Sequence, residues 1–315
     1  MSSGQERVLK RRIHSIESTE QLTRAMDLIS ASQIVRAQAR FEASRPYVDG
    51  IAKVLAVTAS DLGPSAPFRG APADPRRVLV VTIVADRGLC GAYNSNVLRC
   101  AESLMRAGEA AGRAYTVVAV GRRAQRFFRF HGRAIAKSFT KMTERPTYAD
   151  AAAVAAEIVV PFLTGQVDLV QLVSTRFSSA GVQVVEVRQL LPLAVEDPLP
   201  GVPAVPPPPA AEGFYDFEPP AEEILASVVP LYAEAALYSA LLEASTSEHT
   251  ARQRAMSAAT ENADELATTL RRLMNRIRQD AITNEIMEIV GGAEALRLAG
   301  RGDESLTLTA SSGQD

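Results

Sequence analysis

The sequence predicts an α/β protein in which a long antiparallel two-helix coiled coil, built from the N- and C-terminal stretches, flanks a central α/β domain. Three observations predict it. Apolar stripes at helical spacing lie near both ends of the chain, β-branched runs alternate with helical stretches in between, and a proline-rich segment precedes the second stripe.

The longer stripe runs over 224–277. Steps of four and three connect Ile224, Val228, Leu231, Ala235, Tyr238 and Leu242, then polar Ser245, His249 and Arg252, then Met256, Ala259, Ala263, Leu266, Leu270, Leu273 and Ile277. Two apolar positions in seven keep one narrow face turned toward a partner helix. A helix of about 75 residues at about 1.5 Å per residue is a rod on the order of 110 Å, longer than a domain is wide. Its partner is therefore sought in the same chain, over 5–59. There Ile34, Ala37, Phe41, Ser44, Val48, Ile51 and Leu55 repeat the spacing, while Ile13, Ile16, Thr19, Leu22, Met26 and Ile29 before them read as a second register joined by a stutter. Pro46 is expected to kink this helix. Met256, Leu266, Leu270 and Leu273 are expected to pack against it. The polar interruption at Ser245, His249 and Arg252 has two readings: a seam left solvated where the partner ends or bends away, or a level at which a third chain makes contact.

Between the helices, the β-branched run 78–85 reads as a fully buried strand, followed by a helix to about 107 that Asn94 or Ser95 caps. A strand over 115–120 leads through Gly121 to a helix carrying Arg122, Arg123, Arg126 and Arg129. A short strand near Ile135, a helix over 148–163, a strand over 168–176 and a last strand over 182–190 complete the set. This alternation implies a Rossmann-like, mostly parallel sheet covered on both faces, with an antiparallel pair at its end. The domains read as 1–62 N-terminal helix, 76–192 central α/β domain, 193–220 proline-rich acidic linker, 221–296 C-terminal helix and 297–315 disordered tail.

Composition bounds the function. With 315 residues, 47% of them hydrophobic, and a net charge of -2, the chain is long enough for more than one core. The most apolar stretch, 151–163, is too short to span a membrane and holds Glu157 and Pro161, so no span is expected. No signal peptide is read after Arg7, Lys10, Arg11 and Arg12, and the spacing of Cys90 and Cys100 suggests a reducing compartment. Between Gln189 and Ala251 there is no Lys or Arg, whereas Glu234, Glu243 and Glu248 are among many acids; this reads as a solvated acidic surface or a docking face for a basic partner.

The search for chemistry returns no catalytic, cofactor or metal site. The turn over 86–94 lies where a doubly wound fold binds phosphate, but Gly88 and Gly91 match neither dinucleotide nor P-loop spacing. His14, His131 and His249 are scattered, Cys90 has no histidine placed to activate it, and the arginines of 122–133 come without a nucleic-acid recognition module.

Particular residues resemble a known family. Glu248-His-Thr-Ala-Arg252, Ala259-Thr-Glu-Asn-Ala263, Asn275-Arg-Ile-Arg-Gln279, Ile282-Thr-Asn-Glu285 and Glu288-Ile-Val-Gly-Gly-Ala293 resemble the C-terminal signature of the γ subunit of F-type ATP synthase. Thr23-Arg-Ala-Met26 and Ser44-Arg-Pro-Tyr47 resemble its N-terminal helix, and Asp86-Arg-Gly-Leu-Cys-Gly91 the loop after its first strand. Arg24, Gln33, Asn275-Arg276 and Asn284 depart from the usual residues, and the chloroplast-type cysteine pair is absent. The resemblance implies a rotating shaft made by the two helices and an α/β foot, with α and β subunits (one γ per hexamer), ε and the c ring as partners. It also implies no bond chemistry in this chain, and a peripheral place on the cytoplasmic face of a bacterial membrane. By the same resemblance Met26, Arg252, Gln279, Thr283 and Glu285 lie where β subunits grip the shaft, and Tyr215 and Glu218 meet the c ring. A coiled-coil scaffold carrying an α/β domain is the alternative.

Overall fold

The computed structural model describes residues 2–61, 74–179, 181–192 and 218–309. The order of elements is α1 (Ser2–Asp61), β1 (Arg77–Ile83), α2 (Tyr93–Ala110), β2 (Ala114–Val120), α3 (Arg122–Phe130), β3 (Ile135–Phe139), α4 (Tyr148–Leu163), β4 (Leu169–Phe177), β5 (Gln183–Leu191) and α5 (Ala221–Thr309). The linker over 193–217, with Tyr215, falls outside the described residues. The segment beyond 296, expected to be disordered, is instead helical through Thr309. Ala295, Leu296 and Arg297 are strong helix formers with no proline after them, so propagation continues.

The five strands lie in the order β3-β2-β1-β4-β5. All pairs are parallel except β4 with β5. Alternation along the pleat divides β1 between two cores. Val78 and Val80 face α2 and α3, meeting Val97, Met105 and Phe128; Leu79, Val81 and Ile83 face the other side, where Ile158 of α4, Val48 and Leu55 of α1 and Leu237 and Leu241 of α5 cover them. With both faces covered, the strand is a continuous apolar run rather than an alternating one. Thr147 and Asp150 form a capping box that starts α4. Asn94 does not cap α2, which starts at Tyr93; its amide oxygen accepts from Ala85 N at 2.9 Å and thereby holds the turn after β1.

The chain forms two compact units, one spanning 25–257 and the other made of 1–24 with 258–315. In the second unit the helices run antiparallel: Glu17 pairs with Arg271, and the Thr23 and Thr260 hydroxyls meet at 2.7 Å. Burial along α1 follows one stripe, through Leu9, Ile13, Ile16, Glu20, Thr23, Asp27, Ser30, Ile34, Ala37, Phe41, Ser44 and Val48. Its steps of three and four never break, so the expected stutter is absent. That expectation followed Leu22 and Ile29, which are exposed; Glu20, Thr23, Asp27 and Ser30 occupy the inward positions instead. The helix also runs on through Pro46.

The same correction applies to α5. Its buried or half-buried positions include Met256, Ala259, Thr260, Ala263, Ala267, Thr268, Leu270, Met274 and Ile277, and Leu266 and Leu273 are 49% and 44% exposed. The expected Leu266 and Leu273 are therefore displaced by one residue, to Ala267 and Met274, while the expected Ala259 shares its level with Thr260. Further up, 233–252 is not a narrow seam, because α1 covers one side and the sheet the other; Leu225, Val229, Leu237 and Leu241 are buried while Leu231 is exposed. One 18-residue window within Glu223–Arg297 reaches a mean hydropathy of 1.5, long and apolar enough to cross a membrane, where no such span was expected; half of it is buried inside the protein itself.

Candidate functional site: a cleft at the joint of helix and sheet

The first unit brings four segments together at the carboxyl end of the sheet: the turn after β1, the loop between β3 and α4, the 26–33 stretch of α1 and the 245–252 stretch of α5. Gly121 permits the turn from β2 into α3. Its φ of 98° lies in the left-handed region, and a Cβ there would collide with the carbonyl oxygen of Val84. Asp86 then fastens the loops. Its carboxylate accepts from Arg122 N at 3.0 Å, Lys141 N at 2.7 Å and the Thr143 hydroxyl at 3.2 Å. Tyr93, buried at the start of α2, donates its hydroxyl to Ala244 O at 3.1 Å and so ties α2 to α5.

On α5 the polar interruption meets these loops. The Ser245 hydroxyl donates to Glu144 O at 3.1 Å, and His249 Nε2 lies 3.4 Å from the same carbonyl. Arg252 Nη2 donates to Glu248 Oε1 at 2.5 Å and also lies 3.5 Å from Gly88 O. All four side chains are at most 6% exposed. The solvated-seam expectation does not hold, since the loop before α4 covers this level. The helix needs polar groups there because loop carbonyls, unlike strand side chains, require donors. Burial pushes the Glu248 carboxyl up, Arg252 opposing it, and burial pushes His249 down. Glu243 follows Glu248: buried and raised for the same reason, it accepts from Arg188 at 3.1 Å. Among the described acids of this run Glu243 and Glu248 are internal and Glu234 accepts from the Tyr148 hydroxyl at 2.8 Å, while Glu218 and Glu223 are exposed.

A cleft of about 430 Å³ opens beside this joint, with Arg252 and His249 in its lining, Met26, Ile29 and Gln33 on one wall and Arg87, Leu89 and Arg145 on the other. Ile29 and Leu89 are both 60% exposed. The structure thus brings Met26 and Arg252 to one place, although Arg252 sits paired and nearly covered rather than free. Gln279, Thr283 and Glu285 belong to the other unit and are exposed; the Thr283 hydroxyl bonds back to Gln279 O at 3.0 Å. Glu218 is exposed, and Tyr215 lies outside the described residues. Sequence reasoning did not find Glu248 and Asp86. The signal for Glu248 was its spacing of four from Arg252, which puts the two on one helix face.

Nothing here resembles a reaction centre. Cys90 is 1% exposed, accepts from Asn94 Nδ2 at 3.0 Å, and burial pushes its thiol up, away from the nucleophilic thiolate. Among the described residues no group of three or more His, Cys, Asp or Glu is placed to hold a metal ion.

The ATP synthase family model matches residues 5–296. An ATP synthase gamma chain from Parafrankia sp. is 44% identical over 306 residues, covering 93% of this chain and 98% of that one. Another from Streptomyces coelicolor is 39% identical, covering 96% and 99%. Among solved structures, a chain of the Tetrahymena thermophila mitochondrial ATP synthase central stalk and c ring superposes with a TM-score of 0.58 at 25% identity, over 76% of this chain and 99% of that one. The Euglena gracilis mitochondrial ATP synthase rotor shares the fold, with a TM-score of 0.63 at 17% identity over 89% and 99%.

Proposed function

Because this chain belongs to the γ-chain family of ATP synthase, we propose that it couples rotation of the stalk to the opening and closing of nucleotide sites in partner subunits. It is a central-stalk subunit of that membrane-associated complex, and non-catalytic within it.

The observation that supports the coupling role is the outward face of the two long helices. Leu22, Leu28, Ile29 and Val35 of α1 and Leu266, Leu273, Ile282, Ile286 and Ile289 of α5 are 44–67% exposed, while Thr23, Ser30, Thr260, Ala263 and Ala267 are among the residues of the inward stripe. A shaft that must turn inside a sleeve needs an apolar, weakly bonding outer surface. The sleeve we propose is a hexamer of α and β subunits around one copy of this chain. Its β subunits grip at the level of Met26 and Arg252 and again at Gln279, Thr283 and Glu285. Gln279 and Thr283 are four apart and share a helix face. Hydrogen bonds to charged groups are worth about 1.5–3 kcal/mol, enough to latch a rotor transiently without locking it. Tyr215 and Glu218 are proposed to meet polar loops of the c ring, beside an ε subunit, on the cytoplasmic face of the membrane.

Reconstitution of the whole complex, with α and β subunits and the c ring in sealed vesicles, tests this. One copy per hexamer is expected, and alanine at both Gln279 and Thr283 is expected to slow ATP synthesis more than it lowers assembly. In the same preparation the parent should release the c ring more readily as salt rises, and a Tyr215→Ala, Glu218→Lys variant should hold it poorly already at low salt. Unchanged synthesis and unchanged attachment would remove the respective contacts from the proposal.

A further inference from the structure

Arg252 is a poor candidate for a side chain that swings out to a partner, because the protein already holds it from behind. Glu248 lies one helical turn earlier on α5, is 1% exposed, and accepts the guanidinium at 2.5 Å through Oε1. Its second oxygen, Oε2, is buried with no hydrogen-bond partner. A buried carboxylate with an unused oxygen is costly to keep, and a well-packed apolar residue in its place is usually neutral or better for stability. Packing therefore does not account for Glu248. What it supplies is direction, since Nη2 donates to Glu248 Oε1 and also lies 3.5 Å from Gly88 O, so that the planar guanidinium is pinned through that one nitrogen and lines the cleft in one orientation.

We infer that Glu248 is a positioning residue: it fixes Arg252 as a rigid floor of the cleft, so that a partner entering beside Met26 meets a donor array already aimed rather than a mobile arm. This rests on the proposed β-subunit contact at that cleft. The charged and titratable groups around Glu248 are Arg252 and His249 on its own helix, Asp86 and Cys90 on the turn after β1, Tyr93 at the start of α2, and Glu144 on the loop before α4. Arg252 is the cation it contacts, so removing the carboxylate leaves that guanidinium without its fixed acceptor.

Two measurements on the full chain and its reconstituted complex separate positioning from packing. In the first, the ¹⁵N order parameter of the Arg252 side chain is compared in the parent and in Glu248→Gln. A rigid Arg252 in the parent and a mobile one in the variant is expected; equal order in both overturns the inference, whatever the partner does. In the second, ATP-driven pumping per ATP hydrolysed is measured for Glu248→Gln, Arg252→Met and Glu248→Met/Arg252→Met. The double replacement restores a matched, apolar pair and is expected to unfold no earlier than the parent, yet to lose coupling as fully as Arg252→Met alone. Parent-like coupling in the double variant means that the pair only fills space, and overturns the inference. If Arg252→Met alone couples normally while the order parameter still responds to Glu248→Gln, Glu248 positions Arg252 as inferred and the partner contact is what fails.

Discussion

The helix α5 lives in two environments along its length. Over 233–252 it is enclosed on nearly every side, with Leu237, Leu241 and Leu242 at most 1% exposed and Glu243 and Glu248 buried beside them. Over 258–297 its covered surface narrows to a stripe of Thr260, Ala263, Ala267, Leu270, Met274 and Ile277, with leucines turned outward. The first stretch is built as a core and the second as a bearing. A core fixes the helix in a domain by volume and by buried charges. A bearing holds only what the neighbouring helix requires and leaves its bulk for something outside.

The contrast breaks if leucines in the two stretches behave alike. Leu241→Ala is expected to destabilise the isolated chain by about 2–5 kcal/mol, because it opens a cavity in an enclosed site. Leu266→Ala is expected to change it by less than about 0.5 kcal/mol, as surface substitutions do. Denaturant midpoints of the two variants measure the difference, and equal shifts would erase the distinction. Next in size, Ala267→Leu should cost about 1–3 kcal/mol by overpacking the narrow stripe. A thermal scan that shows no loss would mean that the stripe has room for a larger side chain.

The smallest effect sharpens the comparison through pH. Burial raises the Glu248 and Glu243 carboxyls, so the folded chain binds protons that the unfolded chain has released; stability contributed there grows as pH falls from neutrality toward the ordinary carboxylate range. Asp168, at the rim of the sheet, behaves in the opposite sense. The Arg77 guanidinium at 2.5 Å holds it below its ordinary value, so its contribution is present above that value and is lost as pH falls through the folded one. Asp168→Asn is therefore expected to flatten the acid limb of the stability curve below about pH 4, and Glu248→Gln the slope above it. Urea unfolding across pH measures both, and identical limbs for the two variants would sink the assignment.

The sheet was legible because a strand buried on both faces must be mostly apolar, as 78–83 is but for Thr82. The helix over 148–163 was legible in the sequence, whereas the Thr147–Asp150 capping box that starts α4 was not read there. The register of the helix pair was not. Following the largest apolar residues selected Leu22, Leu266 and Leu273, which face outward, because an exposed leucine looks in sequence like a buried one. The cleft was half legible. Resemblance brought Met26 and Arg252 together, but the donors that Ser245 and His249 offer to Glu144 O answer a backbone group, and no pattern of side chains announces a carbonyl.

The hydroxyl pair of Thr23 and Thr260 lies where a purely apolar stripe would have two methyl-bearing side chains in loose contact. A stripe of alanines and leucines is much the same after a shift of seven residues, so it resists axial creep only weakly. A hydrogen bond is not periodic. Together with the Glu17–Arg271 pair, it has one setting along the rod and is broken by any displacement of about 1.5 Å, the rise of a single residue. The two strands of this part of the rod are therefore indexed like the teeth of a ratchet at rest, and a load applied to one of them is delivered to the other without slack.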